Sequence, residues 1–205
     1  MRTRKPASVR KAEITQAALK LAFEFGPDRV TTAMIADRLG LTQPAIYKHF
    51  PNKDDIWNTA TDELCRRIDD NIRTANDQPK PIARLRALVM GQLGLLHDYP
   101  ALPEIMVMRD PNAGATELQS RMVTGMGGLR DAIRQAICAA QANGQIRHDL
   151  SVDDCTNLLV SVVQGLALRL LRFRQPEDLL STGERLLDVQ LSLLTDIGDA
   201  KCDRR

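Results

Sequence analysis

The sequence has 205 residues, of which 43% are hydrophobic, 26% charged and 3% aromatic, and its formal net charge is +2. This length and apolar content suit one domain or two small ones and exclude an intrinsically disordered chain. The longest apolar stretch, residues 158–171, is interrupted by polar residues and is too short to cross a bilayer. The basic N-terminus lacks the uninterrupted apolar core of a secretory signal. We therefore expect a soluble cytoplasmic protein with no membrane partner.

Basic side chains are concentrated near the N-terminus. Residues 1–53 contain ten Lys and Arg against four Asp and Glu, whereas the rest of the chain contains 18 basic and 22 acidic side chains. This distribution is expected when only one end of a chain meets a polyanion such as DNA. The alternative is an ordinary solvated basic face.

Apolar residues recur with helical spacing along almost the whole chain, and β-branched residues form no strand-like runs. The first predicted helix carries one apolar stripe from Ile14 to Phe25 and ends at Gly26-Pro27. A short helix begins at Thr31-Thr32 and ends at Gly40.

A second short helix follows Thr42 and has Pro44 in its first turn, where a missing N–H group costs nothing. A long helix is expected to start at Lys53 or Asp54. The proline-rich segment at residues 76–81 is the clearest linker. Beyond it, helices are predicted over about residues 81–98, 101–109, 115–142, 152–174 and 177–197. The predicted fold is all-α, with about nine helices.

Residues 30–53 carry the most informative pattern. Two helices of about two turns, joined by a tight turn at Gly40 and preceded by an apolar helix, are typical of a helix-turn-helix. The apolar residues of the pair face inward, and the polar residues of the second short helix face outward, where they can reach base edges and phosphates. The alternative is a small helical hairpin with a purely structural role. The outward residues are Gln43, Tyr47, Lys48 and His49.

Several residues at fixed offsets resemble the DNA-binding signature of the tetracycline-repressor (TetR) family. The resemblance covers about residues 10–70 and implies an N-terminal helix-turn-helix domain with a larger helical domain for ligand binding and dimerisation. The implied divisions are a basic arm (1–9), the DNA-binding domain (10–70, motif 31–50), the C-terminal domain (71–200) and a polar tail (201–205). The residues that carry the resemblance are Thr31-Thr32, Ile35-Ala36, Leu39-Gly40, Tyr47, His49-Phe50 and Lys53.

The function that the resemblance implies is that of a ligand-responsive transcriptional regulator. We expect a repressor that binds a palindromic operator in double-stranded DNA as a homodimer and is released by a small-molecule effector. The enzyme alternative finds no support, because the sequence contains no phosphate loop, nucleophile elbow or paired histidines at metal spacing. No cofactor and no metal are expected.

The resemblance also implies roles for individual residues in DNA binding. Thr32 and Thr42 would cap helices and offer hydroxyls to phosphates, and Gln43 would bond bidentately to an adenine. Ala33 stands where the founding repressor has a base-reading arginine, so that repressor's operator sequence cannot be transferred. The remaining expected contacts are Pro44 and Ala45 with thymine methyls, and Tyr47, Lys48, His49 and Lys53 with the DNA backbone, with Arg2, Arg4 and Lys5 forming a basic arm. The alternatives are core packing for Tyr47 and Phe50, a buried hydrogen-bonded role for His49 and solvated side chains for the lysines.

The effector site is expected among the fifth to eighth helices. Methionine adapts to irregular cavities, and the scarcity of aromatic residues indicates an apolar, aliphatic ligand. The alternative is that these residues are plain core. The candidate lining residues are Leu93, His97, Met106, Met108, Met122, Met126, Leu129, Arg130 and Gln164.

Broad apolar faces on the last two long helices predict a dimer that pairs them in a four-helix bundle. The alternative is that both faces are covered within the monomer. The residues assigned to this interface are Leu158, Leu159, Val162, Val163, Leu166, Leu170, Leu187, Leu191 and Leu194.

Four scattered cysteines form no CxxC pair, which disfavours a zinc site. A third hypothesis is a thiol-based sensor in which Cys138 or Cys155 drives the switch.

Overall fold

The computed structural model describes residues 5–107 and 117–195, and within these ranges the chain forms nine α-helices and no strand. The expected all-α class and helix count are confirmed. Arg2, Arg4, Met108, Cys202 and the tail 201–205 lie outside the described residues. The helices are α1 (Ala7–Phe25), α2 (Thr32–Leu39), α3 (Gln43–Tyr47), α4 (Lys53–Asn76), α5 (Pro81–Asp98), α6 (Leu102–Val107), α7 (Glu117–Ala142), α8 (Val152–Phe173) and α9 (Leu179–Leu194).

Helices α1 to α3 enclose a small apolar core of their own. Ile14 and Ala18 of α1 meet Ile35 of α2, Ile46 of α3 and Phe50, and each of these side chains is at most 2% exposed. The helical spacing of the apolar residues therefore marks the buried sides, except at Phe25, which ends the predicted stripe of α1 but is 48% exposed. Because α1 begins at Ala7, the last three residues of the predicted basic arm are helical.

The short helices are bounded by capping interactions that the sequence shows only in part. Thr31, not Thr32, caps α2, since its hydroxyl accepts a hydrogen bond from the N–H of Met34 at 3.2 Å. Gly40 ends α2 in the left-handed conformation (φ 60°, ψ 41°), which glycine adopts without a steric penalty. Thr42 occupies the cap position of α3 but makes no side-chain capping bond.

Helix α4 belongs to both cores. Its first turns place Ile56 in the N-terminal core, and its later turns place Leu64 and Ile68 in the core of the C-terminal domain, which we call the body. Trp57 packs against both. The boundary predicted at residues 70/71 therefore falls inside one continuous helix, and the chain turns only after Asn76.

The body is built on close packing of α5 and α7 against α4. A Cβ atom at Gly91 would lie 1.8 Å from Oδ1 of Asn71, whose amide donates to the carbonyl of Leu88 at 3.1 Å. On α7, a Cβ atom at Gly125 or Gly128 would meet an isoleucine side chain of α4 at 3.7 Å or 3.8 Å, which is ordinary van der Waals contact. Gly91 is therefore the glycine that lets α5 approach α4 closely, at a cost in helix propensity.

One helix among the described residues, α8, is long and apolar enough to cross a membrane by length and composition. Its inner side carries Cys155, Leu159, Leu166 and Leu170, all at most 4% exposed within the body. This burial is that of a core helix in a folded domain.

Candidate DNA-binding surface

The expected recognition residues lie together at the N-terminal end of the molecule. The short helix α3 turns Ile46 inward, and the chain continues so that Phe50 is buried as predicted. Most of the predicted DNA contacts are left on the surface by this arrangement. Ala33, Thr42, Gln43, Pro44, Tyr47 and Lys48 are exposed, and Ala45, His49 and Lys53 are half-buried.

Thr32 is the exception, because only 6% of it is exposed. Its hydroxyl accepts a hydrogen bond from Nε2 of Gln43 at 2.8 Å and lies 3.3 Å from the hydroxyl of Tyr47. The predicted role of Thr32 as a helix cap is therefore wrong, because the cap is Thr31. Its contact with a phosphate stays a prediction, and within the protein its hydroxyl accepts from Gln43.

The Thr32 hydroxyl orients the side chain most suited to reading a base. The amide Nε2 of Gln43 carries two hydrogens, so a bond to Thr32 leaves the second hydrogen and the carbonyl oxygen able to meet the N7 and N6 edge of an adenine. Tyr47 is 48% exposed, and its ring and hydroxyl are positioned by the same threonine.

An ion pair fixes α2 against α1 behind this surface. Both guanidinium nitrogens of Arg38 donate to the carboxylate of Glu24, at 2.8 Å and 2.5 Å. Hydrogen bonding from Arg38 lowers the pKa of Glu24. At the start of α4, Asn52 caps the helix by accepting from the N–H of Asp55 at 2.8 Å, which holds the adjacent Lys53 at the predicted surface.

The body meets the DNA-binding domain at Arg174, which ends α8 in a left-handed conformation (φ 52°). Its guanidinium donates to the carbonyl of Phe23 at the end of α1 and contacts both carboxylate oxygens of Glu104 on α6 at 3.2 Å. Non-glycine residues adopt this backbone conformation at a cost. The Arg174 contact therefore joins three helices from the two domains.

The predicted effector residues are not all brought together. Leu93, Met122 and Leu129 are buried in the body, and Met106 and Met126 are half-buried against the same core. His97, Arg130 and Gln164 are exposed, and Met108 lies outside the described residues.

The sequence analysis missed Gln92, which is 1% exposed on α5. Its Oε1 atom has no hydrogen-bond partner, and its Nε2 lies 3.7 Å from the sulfur of Met126. Nearby, the thiol of Cys65 donates to the sulfur of Met122 at 3.5 Å. A polar residue on the otherwise apolar stripe of α5 was the available signal.

Most of the residues predicted to form a dimer interface on α8 and α9 lie on the inner side of these helices. Leu158 is exposed, but the other eight residues assigned to that interface are at most 6% exposed within the single chain, so they are not available to a partner. The outer side has apolar residues of its own, together with Gly165, around which there is open space. These outer residues are Leu158, Leu168, Leu186, Val189 and Leu193, between 41% and 65% exposed.

The cysteines differ in their suitability for redox chemistry. Burial, reinforced by Asp154, raises the pKa of Cys155, and burial likewise raises the pKa of Cys65. A raised pKa disfavours the reactive thiolate. Cys138 is exposed on α7. Among the described residues, no three His, Cys, Asp or Glu side chains are grouped to hold a metal ion.

A buried helix-turn-helix core with an exposed polar second helix defines a DNA-binding regulator. The family model described as "Bacterial regulatory proteins, tetR family" matches residues 14–60. Residues 14–60 therefore form a DNA-binding domain of the tetR type.

Curated relatives extend the similarity into the body. The chain is 28% identical over 199 residues to the "Probable HTH-type transcriptional regulator ArpR" of Pseudomonas putida, covering 94% of this chain and 95% of that protein. It is 27% identical over 161 residues to the "Nucleoid occlusion factor SlmA" of Marinomonas sp., covering 76% and 80%. Neither relative is named as an enzyme, and the first is named as a transcriptional regulator, which agrees with a regulatory function.

Solved structures share the fold at lower identity. The "ketosteroid transcriptional regulator KstR2 of Mycobacterium tuberculosis" superposes with a TM-score of 0.75 at 19% identity, covering 91% of this chain and 95% of that chain. A regulator from Saccharomonospora viridis in complex with choline superposes with a TM-score of 0.73 at 22% identity, covering 92% and 99%.

Proposed function

We propose that the protein is a cytoplasmic repressor that binds a palindromic operator as a homodimer and releases it when a small-molecule effector occupies the body. The observation that supports operator reading best is the Gln43 side chain, exposed on α3 and oriented by the buried hydroxyl of Thr32. A base-reading amide whose position is set before binding loses less side-chain entropy on the DNA.

The outer side of α8 and α9 supports the dimer. Leu168 and Leu193 are 65% and 64% exposed, and Ser161 and Gly165 lie on the same side of α8 as Leu158 and Leu168. Small residues between leucines let a second copy approach closely. Exposed apolar faces of this kind are typical of subunit interfaces.

The effector site that we propose lies around Gln92 between α4, α5 and α7. A buried amide oxygen without a partner costs free energy, so a ligand that donates a hydrogen bond there would be stabilised. The core around this amide is otherwise aliphatic and sulfur-containing, and it includes Leu93, Met122 and Met126. An apolar effector with one hydroxyl or amide donor fits this chemistry.

The effect of the ligand on DNA binding would be transmitted through α4 and Arg174. Helix α4 runs from the DNA-binding domain into the effector region, and Arg174 joins α8 to α1 and α6. A shift of α4 or a change in the contacts of Arg174 would change the distance between the two recognition helices of a dimer. That distance must match one turn of DNA.

The proposal is tested by measuring binding of the purified protein to DNA from upstream of its own gene by fluorescence anisotropy. Gln43→Ala is expected to weaken binding about 10- to 100-fold, because it removes a bidentate base contact. Gln135→Ala, a change of the same type at an exposed position on α7, is the matched control and leaves the affinity unchanged. Equal affinities for the wild type and Gln43→Ala would contradict the proposed role of α3.

A further inference from the structure

A groove of about 560 Å³ lies between α1 and α4, outside the effector region of the body. One wall is a single face of α1, including Lys11, Thr15 and Leu19, and the other is a single face of α4, including Glu63 and Arg67. Tyr99, which follows α5, also lines the groove. This volume falls within the range of small-molecule sites.

The groove contains a buried hydroxyl without a partner. Thr15 is 5% exposed, and its Oγ1 has no hydrogen-bond partner, although a helical threonine can usually bond a carbonyl of the preceding turn. A buried hydroxyl left in this state carries a desolvation cost that a ligand atom would offset.

One turn before Thr15, on the same face of α1, the groove has a cation with no carboxylate partner. The ammonium of Lys11 lies 5.3 Å from the centroid of the Phe50 ring and forms no ion pair with any described residue. Residues four apart on a helix are neighbours, so Lys11 and Thr15 can meet one bound group.

The charges of the opposite wall are paired with one another. Glu63 is shared by Arg66 and Arg67, at 2.6 Å and 2.7 Å, Arg66 also pairs with Asp70 at 2.9 Å, and Asp62 is paired with Arg121. Among the described residues that line the groove, Lys11 is thus the cation that an entering anion can meet without displacing a carboxylate.

The rest of the groove carries apolar and aromatic side chains beside the polar residues Ser8, Gln16 and Thr59. Ala12 and Leu19 lie on α1, and the ring of Tyr99 stacks with Arg67, whose guanidinium carbon is 5.9 Å from the ring centroid. We infer that the α1–α4 groove binds a small amphipathic carboxylate, with its carboxylate at Lys11 and Thr15 and its apolar part between Leu19 and Tyr99.

Occupancy of the groove acts on DNA binding independently of the effector site in the body. The ligand bridges α1 of the DNA-binding domain and α4, and it neutralises Lys11 in the basic N-terminal segment. Lower positive charge near the operator reduces the affinity for phosphates, so the carboxylate is expected to weaken operator binding.

The test uses cinnamate, benzoate and octanoate as probes, each with its neutral amide, and isothermal titration calorimetry on the full-length protein without DNA. At least one carboxylate is expected to bind with a Kd of about 1 mM or tighter, and at least tenfold tighter than its amide. The fluorescence of Trp57, the only tryptophan, gives a second readout on α4.

Two variants locate the binding site. Thr15→Val and Lys11→Gln are each expected to weaken carboxylate binding about tenfold, since each removes one bond to the charged group. Thr15→Val is expected to leave operator affinity without the probe unchanged. The matched control is Thr156→Val, a buried threonine of α8 whose hydroxyl donates to the carbonyl of Val152 at 2.7 Å, which leaves carboxylate binding unchanged.

Failure of all three carboxylates to bind would overturn the inference. Binding that both groove variants leave unchanged would place the probes elsewhere and would also overturn it. Lys11 is exposed, so Lys11→Gln remains informative if Thr15→Val does not fold. Because the titrations contain no DNA, either result leaves the proposed repressor function to be judged by its own operator assay.

Discussion

Replacing Thr32 with valine removes the group that orients Gln43 but keeps the Gln43 side chain that is proposed to contact a base. The change keeps the shape of the side chain but removes a hydroxyl that is bonded to Nε2 of Gln43 at 2.8 Å and lies 3.3 Å from the hydroxyl of Tyr47. Both partners are exposed and regain hydrogen bonds to water, so the free energy of unfolding should change by less than about 1 kcal/mol.

The expected effect on DNA is larger than the effect on stability. Fixing a free glutamine side chain costs up to about 2 kcal/mol of conformational entropy, and the Thr32 hydroxyl supplies part of that order before binding. We expect Thr32→Val to weaken operator binding by about 1 kcal/mol, or about fivefold. The slope of affinity against salt should not change, because the substitution removes no cationic side chain.

A double-mutant cycle measured by fluorescence anisotropy tests this reasoning. In the Gln43→Ala background, Thr32→Val has no glutamine left to orient and should cost only a few tenths of a kcal/mol. The expected coupling is therefore most of the single-mutant effect. If Thr32→Val weakens binding by the same factor in both backgrounds, the threonine does not act through Gln43 and the argument fails.

Three further predictions concern the body. Gln92→Leu should raise the free energy of unfolding by about 1 kcal/mol, measured by urea denaturation, because it removes an unpartnered buried amide; a loss of stability would contradict this assignment. Leu168→Asp should convert the proposed dimer to a monomer in light scattering, whereas Val123→Asp, at similar exposure, should not; a persistent dimer would place the interface elsewhere. Burial opposes ionisation of Glu63, but hydrogen bonds from two arginines outweigh it and lower its pKa. Its contribution to stability is thus present above the ordinary pKa of glutamate and is lost as the pH falls through the lowered pKa of the folded state. In urea unfolding at a series of acid pH values, Glu63→Gln should reduce this loss of stability.

The helices of the DNA-binding domain were largely predictable because their determinants are local. Apolar spacing assigned the buried sides of α1 to α3, and Gly40 ended α2 where the sequence indicated. The choice between Thr31 and Thr32 as the cap was not predictable from spacing, since both hydroxyls stand at the helix start. The role of Thr32 depends on Gln43, eleven residues later.

The remaining differences arise from contacts between distant parts of the chain. Helices α8 and α9 carry apolar residues on more than one side, so periodicity identifies their stripes but not which stripe the monomer covers. The Arg174 contact with Phe23 joins residues 151 positions apart, and nothing near Arg174 in the sequence signals it. In the sequence, Thr15 looks like an ordinary helical threonine, and only the structure shows that its hydroxyl has no hydrogen-bond partner.

The continuity of α4 limits how this protein can be recombined with other regulators. Ile56 completes one core and Ile68 the other, so a chimaera joined at residue 70 would splice foreign packing into the middle of a shared helix. A chimaera that retains the native chain through Asn76 keeps α4 intact. Its foreign body must then provide a helix in the place of α5 with a small residue at the position of Gly91, where Asn71 lies close to the backbone. A chimaera that exchanges the DNA-binding domain of this regulator should therefore transfer α4 and the surface of α5 that packs against it together with that domain.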